Sequence, residues 1–149
     1  MDAQGYTTVP DTICSVCGSA AGFVTEARDK AISYKGHTTT IPMLTLRYCS
    51  ACGEGFDAGN ADMQRMADAL QAFMRDVDAK QAAELRATRK RLGLKQAEAA
   101  AIFGGGVNAF SEYERGIRQP SRSTLLLLQL LDRHPELLNE VRQFAHTSA

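Results

Sequence analysis

No apolar run in the sequence approaches the ~18 residues that a membrane-crossing helix needs, so no membrane partner is expected. Residues Met1–Gly5 lack both a basic start and an apolar h-region, and a signal peptide is therefore not expected either. Both absences favour a cytoplasmic protein whose cysteine thiols are reduced.

Several enzyme signatures are also missing. The triple glycine Gly104–Gly106 is not followed by the Gly-Lys-Ser/Thr of a phosphate-binding loop. His134 and His146 are not accompanied by a suggestively spaced pair of carboxylates, and all four cysteines belong to paired motifs, which leaves none as a nucleophile. We therefore expect that the protein is not an enzyme.

Net charge is absent too, because 17 Lys and Arg residues balance 17 Asp and Glu residues. The balance hides an asymmetry, however. Residues 1–62 hold four basic and seven acidic side chains, a net charge of −3, whereas residues 81–149 hold ten basic and seven acidic ones, a net charge of +3. An acidic N-terminal half and a basic C-terminal half indicate different partners for the two halves.

The cysteines that are present form two Cys-x-x-Cys-Gly motifs, separated by a spacer of 31 residues, 18–48. One motif would be ambiguous between a redox pair and half a metal site, but two predict a closed tetrathiolate zinc site. A dithiol redox pair would explain only half of the cysteines, and an iron–sulfur cluster usually has a more crowded spacing. We expect one structural Zn²⁺ per chain, held by Cys14, Cys17, Cys49 and Cys52.

The spacer favours β structure, because β-branched and alternating residues fill 23–27, 38–41 and 43–48. Pro42 marks an edge or a bend, and residues 34–37 are typical of a turn. His37 in that turn is a possible fifth ligand, although a solvated turn histidine is the favoured interpretation.

A helix is predicted after Asn60, which is a suitable cap. Its apolar residues recur at spacings of three and four, which favours packing against the small sheet over a methionine-lined groove for a partner. These residues are Met63, Met66, Ala67, Leu70, Phe73, Met74 and Val77. The pattern breaks at residues 76–80. We place the linker between the two halves there, to within several residues, as a segment that is either short or partly helical.

In the back half, a predicted helix over 95–103 is followed by the glycine turn and a second helix over 108–115, which Gly116 ends. Helix, tight turn and helix predict a helix-turn-helix, in which residues 108–115 face the major groove of DNA. Asn108 opens that second helix, either as a cap or as a reader of base edges, and one of Phe110 and Tyr113 belongs to the core. Some members of the basic cluster Arg86, Arg89, Lys90, Arg91 and Lys95 are expected to contact phosphates, as is Gln96.

The next predicted helix, 124–133, holds six leucines within seven positions. A helix that is apolar all round is buried on several sides, which in so small a domain predicts a second copy of the chain packed against it. The fold class is therefore α+β with two domains: a flexible tail at 1–12, a small zinc-bound β/α domain at 13–77, and an all-α helix-turn-helix domain at 78–149.

The sequence resembles the MqsA family of antitoxins over about residues 14–142. The resemblance is carried by the two Cys-x-x-Cys-Gly motifs, by the run GGGVNAF with the following YE, G and QP, and by the segment LDRHPELL. That resemblance implies a YgiT-type zinc finger followed by a helix-turn-helix of the phage-repressor (Xre/Cro) kind. It implies that the N-terminal domain neutralises a ribonuclease toxin. It also implies that the C-terminal domain dimerises and represses its own operon at a palindromic operator.

The resemblance further implies that Asn108 contacts bases. One member of the family has an arginine four residues later that also contacts bases, but this chain has Glu112 there. Either the operator sequence differs or Glu112 does not read bases, and the family's operator is not carried over. The predicted DNA-binding residues are Lys95, Gln96, Asn108, Ser111, Glu112 and Arg118. The alternative hypothesis is a stand-alone zinc-containing transcriptional regulator with a different protein partner.

Overall fold

A computed structural model describes residues 12–147, so all of the predicted tail except Thr12 lies outside the described residues. Within that part, the chain divides between Met74 and Arg75 into two compact units. The first unit holds an antiparallel sheet and the second holds helices. No helix among residues 12–147 is both long and apolar enough to span a membrane.

Among residues 12–147, three strands form the sheet, in the order β1 (Phe23–Tyr34), β2 (His37–Cys49) and β3 (Gly55–Phe56). The spacer between the cysteine motifs is therefore β structure, as predicted. Lys35 and Gly36 join the first two strands, both with positive φ (49° and 79°), as a tight two-residue hairpin turn requires.

A bulge at Pro42 bends β2. Arg28 pairs with Leu44 and Lys30 with Ile41, so two residues of β2 oppose Asp29 alone. Proline has no N–H to give to the ladder, which explains why the extra residue is tolerated here. The Asp29 carboxylate accepts the Met43 N–H (2.9 Å), and the Arg65 guanidinium donates to the Pro42 and Met43 carbonyls (3.0 and 2.6 Å). The predicted bend at Pro42 is this bulge.

Alternating residues of β2 make the core of this unit. Leu44, Leu46 and Tyr48 are almost fully buried, since every second side chain of a strand points to the same face. Met63 and Met66 of the following helix, α1 (Asp62–Arg91), pack against this cluster. The predicted packing of the methionine stripe against the sheet is confirmed for these two residues.

The predicted linker at residues 76–80 is helical throughout, because α1 is continuous through it. This stretch has no glycine or proline to end a helix, and Lys80 pairs with Asp76 one turn away (2.8 Å). Val77 is buried, so the apolar pattern does not lapse there either. The division between the units falls inside α1.

Four further helices follow α1: α2 (Gln96–Phe103), α3 (Ala109–Glu114), α4 (Arg122–Arg133) and α5 (Leu138–Thr147), with a 3₁₀ turn at Pro135–Leu137. Gly93 and Gly116, each with φ near +70°, follow the ends of α1 and α3. Ser121 caps α4 by accepting the Thr124 N–H. The core of this second unit joins α1 to the later helices and comprises Leu85, Leu92, Leu94, Ala99, Ala100, Ala109, Phe110, Tyr113, Leu128, Leu131 and Leu138.

Candidate metal centre and nucleic-acid interface

The two cysteine motifs fold as near copies of each other. In each motif the first cysteine N–H bonds a carbonyl five residues on, at Ser19 and Glu54. Gly18 and Gly53, with φ of 71° and 75°, donate back to the carbonyls of Cys14 and Cys49. In the second motif the Ala51 N–H is turned toward Cys49 Sγ (3.4 Å).

All four sulfur atoms lie within 4.8 Å of one another, with Cys14 and Cys49 buried and Cys17 and Cys52 exposed. Sγ of Cys14 is 3.7 Å from that of Cys52, and Sγ of Cys17 is 3.8 Å from that of Cys49. A tetrahedral Zn²⁺ with Zn–S bonds of ~2.3 Å would hold its sulfurs ~3.8 Å apart. The geometry therefore fits a closed structural zinc site with these four ligands, as predicted.

The electrostatics of the thiols agree with metal ligation. Backbone N–H groups of Cys52 and Ala51 lower the pKa of Cys49 to about 6. The pKa of Cys52 rises to about 12: the N–H of Glu54 lowers it, but desolvation and the three neighbouring thiols outweigh that effect. Four sulfurs this close resist carrying four negative charges together, and a divalent cation removes that penalty.

His37 is not part of this centre. It opens β2 and pairs with Tyr34 across the hairpin turn. Within residues 12–147, the four cysteines form the one group of three or more Cys, His, Asp or Glu side chains close enough to share a metal ion. The interpretation of His37 as a solvated turn residue agrees with its exposed position.

The helix-turn-helix segment consists of α2, the turn 104–108 and α3. α3 starts at Ala109 and is shorter than predicted. Residues 108–115 do not all face outward, because three of them are buried. Ala109 and Phe110 are fully buried and Tyr113 nearly so, which corrects the expectation that only one of the two aromatic residues belongs to the core. Both rings are needed to hold so short a helix against its neighbours, with centroids 5.6 Å apart.

Asn108 precedes α3 and is exposed. Its backbone carbonyl accepts the Glu112 N–H, but its side chain makes no capping hydrogen bond. Of the two roles considered for Asn108, the geometry therefore removes capping by its side chain. The amide remains available at the exposed start of α3.

Glu112 and Arg118, two of the predicted DNA-binding residues, contact each other. Nε of Arg118 lies 3.1 Å from Oε2 of Glu112, and Nη2 donates to the Gly105 carbonyl (2.7 Å). Ser111 lies between Asn108 and Glu112 and is partly exposed. This ion pair was not predicted from the sequence.

Lys95 and Gln96 lie at the start of α2, and both are exposed. Nε2 of Gln96 donates to the Glu114 carboxylate (3.0 Å), which ties the start of α2 to the end of α3. All six predicted DNA-binding residues thus lie in or beside the helix-turn-helix segment.

Residues 12–142 match the family model described as the antitoxin component of a bacterial toxin–antitoxin system, MqsA. The antitoxin MqsA of Escherichia coli (strain K12) is 41% identical over 131 residues, which cover 87% of this chain and 98% of that protein. The chain belongs to the MqsA antitoxin family.

Three members of the antitoxin's predicted basic cluster form ion pairs within the second unit, the longest of which joins Arg86 to Glu114 (3.9 Å). Arg89 is buried and pairs with Glu114, and Arg91 pairs with Asp132 (2.8 Å) and with Glu84 (2.9 Å). The expectation of phosphate contacts therefore does not extend to Arg89, because its guanidinium is closed off from solvent. Lys90, by contrast, is exposed.

The leucines of α4 divide between the antitoxin's core and its surface. Leu128 and Leu131 are buried, and Leu125 and Leu127 are partly buried against the same core. Leu126 and Leu130, one turn apart, stay 54% and 47% exposed. One chain therefore covers only part of this leucine-rich helix, and an apolar strip is left on α4.

Proposed function

We propose that this antitoxin neutralises a cognate ribonuclease toxin through residues 13–77. We also propose that it represses its own operon by binding a palindromic operator through a dimer of residues 78–149. In this proposal it acts in the cytoplasm as a regulator without catalytic activity. The observation that carries the DNA-binding part is the exposed side chain of Asn108 at the start of a short helix whose other face is buried.

The surface around Asn108 supports insertion of α3 into a major groove. Buried Phe110 and Tyr113 fix the inner face of α3, so the outer face is presented on a rigid support. An asparagine amide donates to and accepts from an adenine edge at once, which gives it ~1–3 kcal/mol of discrimination between bases. Exposed Lys90 and Lys95 are suited to neutralising phosphates on either side of the groove.

Dimerisation is supported by the exposed strip on α4. Leu126 and Leu130 lie on one face at a spacing of four residues, and about half of each side chain is in contact with water. A second copy of the chain would cover both leucines. Two recognition helices related by a twofold axis would then read a palindromic site.

Toxin binding by the first unit is supported by its surface and charge. Val16, Val24 and Met43 are large apolar side chains with 46–63% of their surface exposed. Residues 1–62 carry a net charge of −3, which complements a basic ribonuclease. A closed tetrathiolate site has no open coordination position, so its role is to hold these surfaces in shape.

A reciprocal pair of substitutions in the full chain tests the proposal. Asn108→Ala should weaken footprints on the gene's own promoter while still rescuing growth when the neighbouring toxin gene is expressed. Cys49→Ser should do the reverse, because it removes a zinc ligand of the first unit alone. A wild-type chain that neither protects its promoter nor rescues growth would overturn the proposal, and equal loss of both activities in each variant would contradict the division of labour.

A further inference from the structure

Arg118 is held on three sides beside α3. Its Nε contacts the Glu112 carboxylate (3.1 Å), its Nη2 donates to the Gly105 carbonyl (2.7 Å), and its guanidinium carbon lies 5.1 Å from the centre of the Tyr113 ring. The ring contact is a cation–π interaction. One arginine thus joins the glycine turn before α3 to the helix itself.

The backbone conformation at the end of α3 explains why Glu112 and Arg118, six residues apart, are in contact. Ile117 N–H bonds the Glu112 carbonyl (2.9 Å) and Gly116 N–H bonds the Tyr113 carbonyl (3.1 Å). These two bonds, with Gly116 at φ 71°, form a Schellman motif, which folds the chain back over the last turn of the helix. Arg118 is therefore returned to the side of Glu112 by the backbone as well as by the ion pair.

Charge decides which member of the pair is suited to DNA. A free carboxylate on the outer face of α3 would be repelled by phosphates, and its only base partner would be an amino group such as that of cytosine. Paired with Arg118, the Glu112 charge is neutralised. The Arg118 side chain is 45% exposed, and a guanidinium has more N–H donors than the contacts to Glu112 and Gly105 use.

We propose that Glu112 is a positioning residue that holds Arg118 against the glycine turn, and that Arg118 is the member of this pair that contacts the operator, at a phosphate. This inference rests on the proposed function of the helix-turn-helix as a promoter-binding element. Phosphate contacts fix the register of a protein on DNA without reading sequence. Glu112 accordingly sets how α3 enters the groove, and its own carboxylate reads no base.

The test is a double-substitution cycle on the full chain, with a fluorescent duplex of the gene's own promoter as the probe. Glu112→Gln, Arg118→Ala and the double variant are titrated at several salt concentrations, and again with each operator base pair replaced in turn. Arg118→Lys keeps the charge while losing the fork of donors, and it serves if the alanine variant folds poorly. Glu140→Gln, an exposed carboxylate on α5, is the matched control, and thermal unfolding verifies the fold of each variant.

We expect Arg118→Ala to weaken binding about tenfold at all base variants alike and to reduce the salt slope by about one. Glu112→Gln should weaken binding in the parent chain but have no such effect once Arg118 is absent. A Glu112→Gln variant that relaxes the preference at one base pair, with or without Arg118, would overturn the proposal. A wild-type chain that binds its promoter no better than a scrambled duplex would refute the proposed function itself.

Discussion

Arg89 of α1 and Glu114 of α3 form a buried ion pair, with side chains 10% and 5% exposed. Arg89 Nη2 donates to Glu114 Oε2 (3.0 Å), while Nη1 donates to the Leu94 carbonyl (2.6 Å). Gln96 donates to the same carboxylate. The ion pair and the Gln96 hydrogen bond join the end of α3 to α1 and α2, so the orientation of α3 depends on them.

Arg89→Ala should destabilise the second unit by ~3–5 kcal/mol, because it leaves the Glu114 carboxylate buried without its main partner. Lys90→Ala is the control, since it removes an exposed neighbouring charge and should change stability by no more than ~0.5 kcal/mol. Urea unfolding followed by far-UV circular dichroism of zinc-saturated protein measures both. Equal, small effects would show that the Arg89–Glu114 pair is not structural.

The Arg89–Glu114 pair also makes the stability of the second unit depend on pH. Burial raises the pKa of Glu114, but hydrogen bonds from Arg89 and Gln96 and the nearby charges outweigh it, so the pKa lies below its ordinary 4.5. A carboxyl group with a lowered pKa in the folded state stabilises that state above its unfolded pKa. This stabilisation is lost as the pH falls through the folded pKa.

We therefore expect wild type to exceed Glu114→Gln in stability at pH 7, and the difference to shrink once the pH drops below about 4.5. Urea midpoints at pH 7, 5, 4 and 3 follow that difference. Glu140→Gln, which removes a carboxylate exposed on α5, is the matched control at each pH. A stability difference between wild type and Glu114→Gln that grows as the pH falls would contradict this explanation.

Gly105→Ala should be more damaging than Gly106→Ala by ~1–3 kcal/mol. Both glycines have φ near +95°, so the backbone strain of an added side chain is the same at the two positions. At Gly105 a Cβ would lie 2.7 Å from the Tyr113 hydroxyl and 3.0 Å from the Ala109 Cβ, whereas at Gly106 it would meet open space. Thermal unfolding compares the two variants, and equal losses would leave backbone strain as the whole effect.

Removal of zinc should unfold the first unit. Structural zinc contributes ~10–16 kcal/mol in small zinc-binding peptides, more than the few buried side chains of this sheet can replace. We expect one tightly held zinc per chain in wild type and in His37→Ala, and none in Cys52→Ser, by elemental analysis of purified protein. Zinc loss from His37→Ala would contradict the four-cysteine ligand set.

Leu130→Lys should convert the proposed dimer to monomers, because it places a charge within the exposed strip of α4. Gln129→Lys adds the same charge at the adjacent exposed position and serves as the control. Analytical ultracentrifugation distinguishes the two species. A dimer that survives Leu130→Lys would place the interface elsewhere.

The zinc centre was predictable because the contacts that shape each Cys-x-x-Cys-Gly motif join residues close together in the sequence. A Cys-x-x-Cys-Gly knuckle closes on itself through bonds between residues at most five apart, and two knuckles complete one tetrahedral site. The hairpin turn at Lys35–Gly36 and the glycine after α3 were predictable for the same reason. The ion pair of Glu112 with Arg118 has a local signal as well, since a glycine after a helix end returns the following residues to its last turn.

The sequence by itself determined the zinc ligands, the β structure between them, the helix, turn and helix, and the family. Tertiary structure decided which polar and charged residues remain available. Arg89 and Lys90 are adjacent in the sequence, yet one is buried in an ion pair with α3 and the other is exposed. Arg89 lies one turn after buried Leu85, so the helical period places it on the inner face. Its partner Glu114 comes 25 residues later in the chain, and only the fold brings the two together.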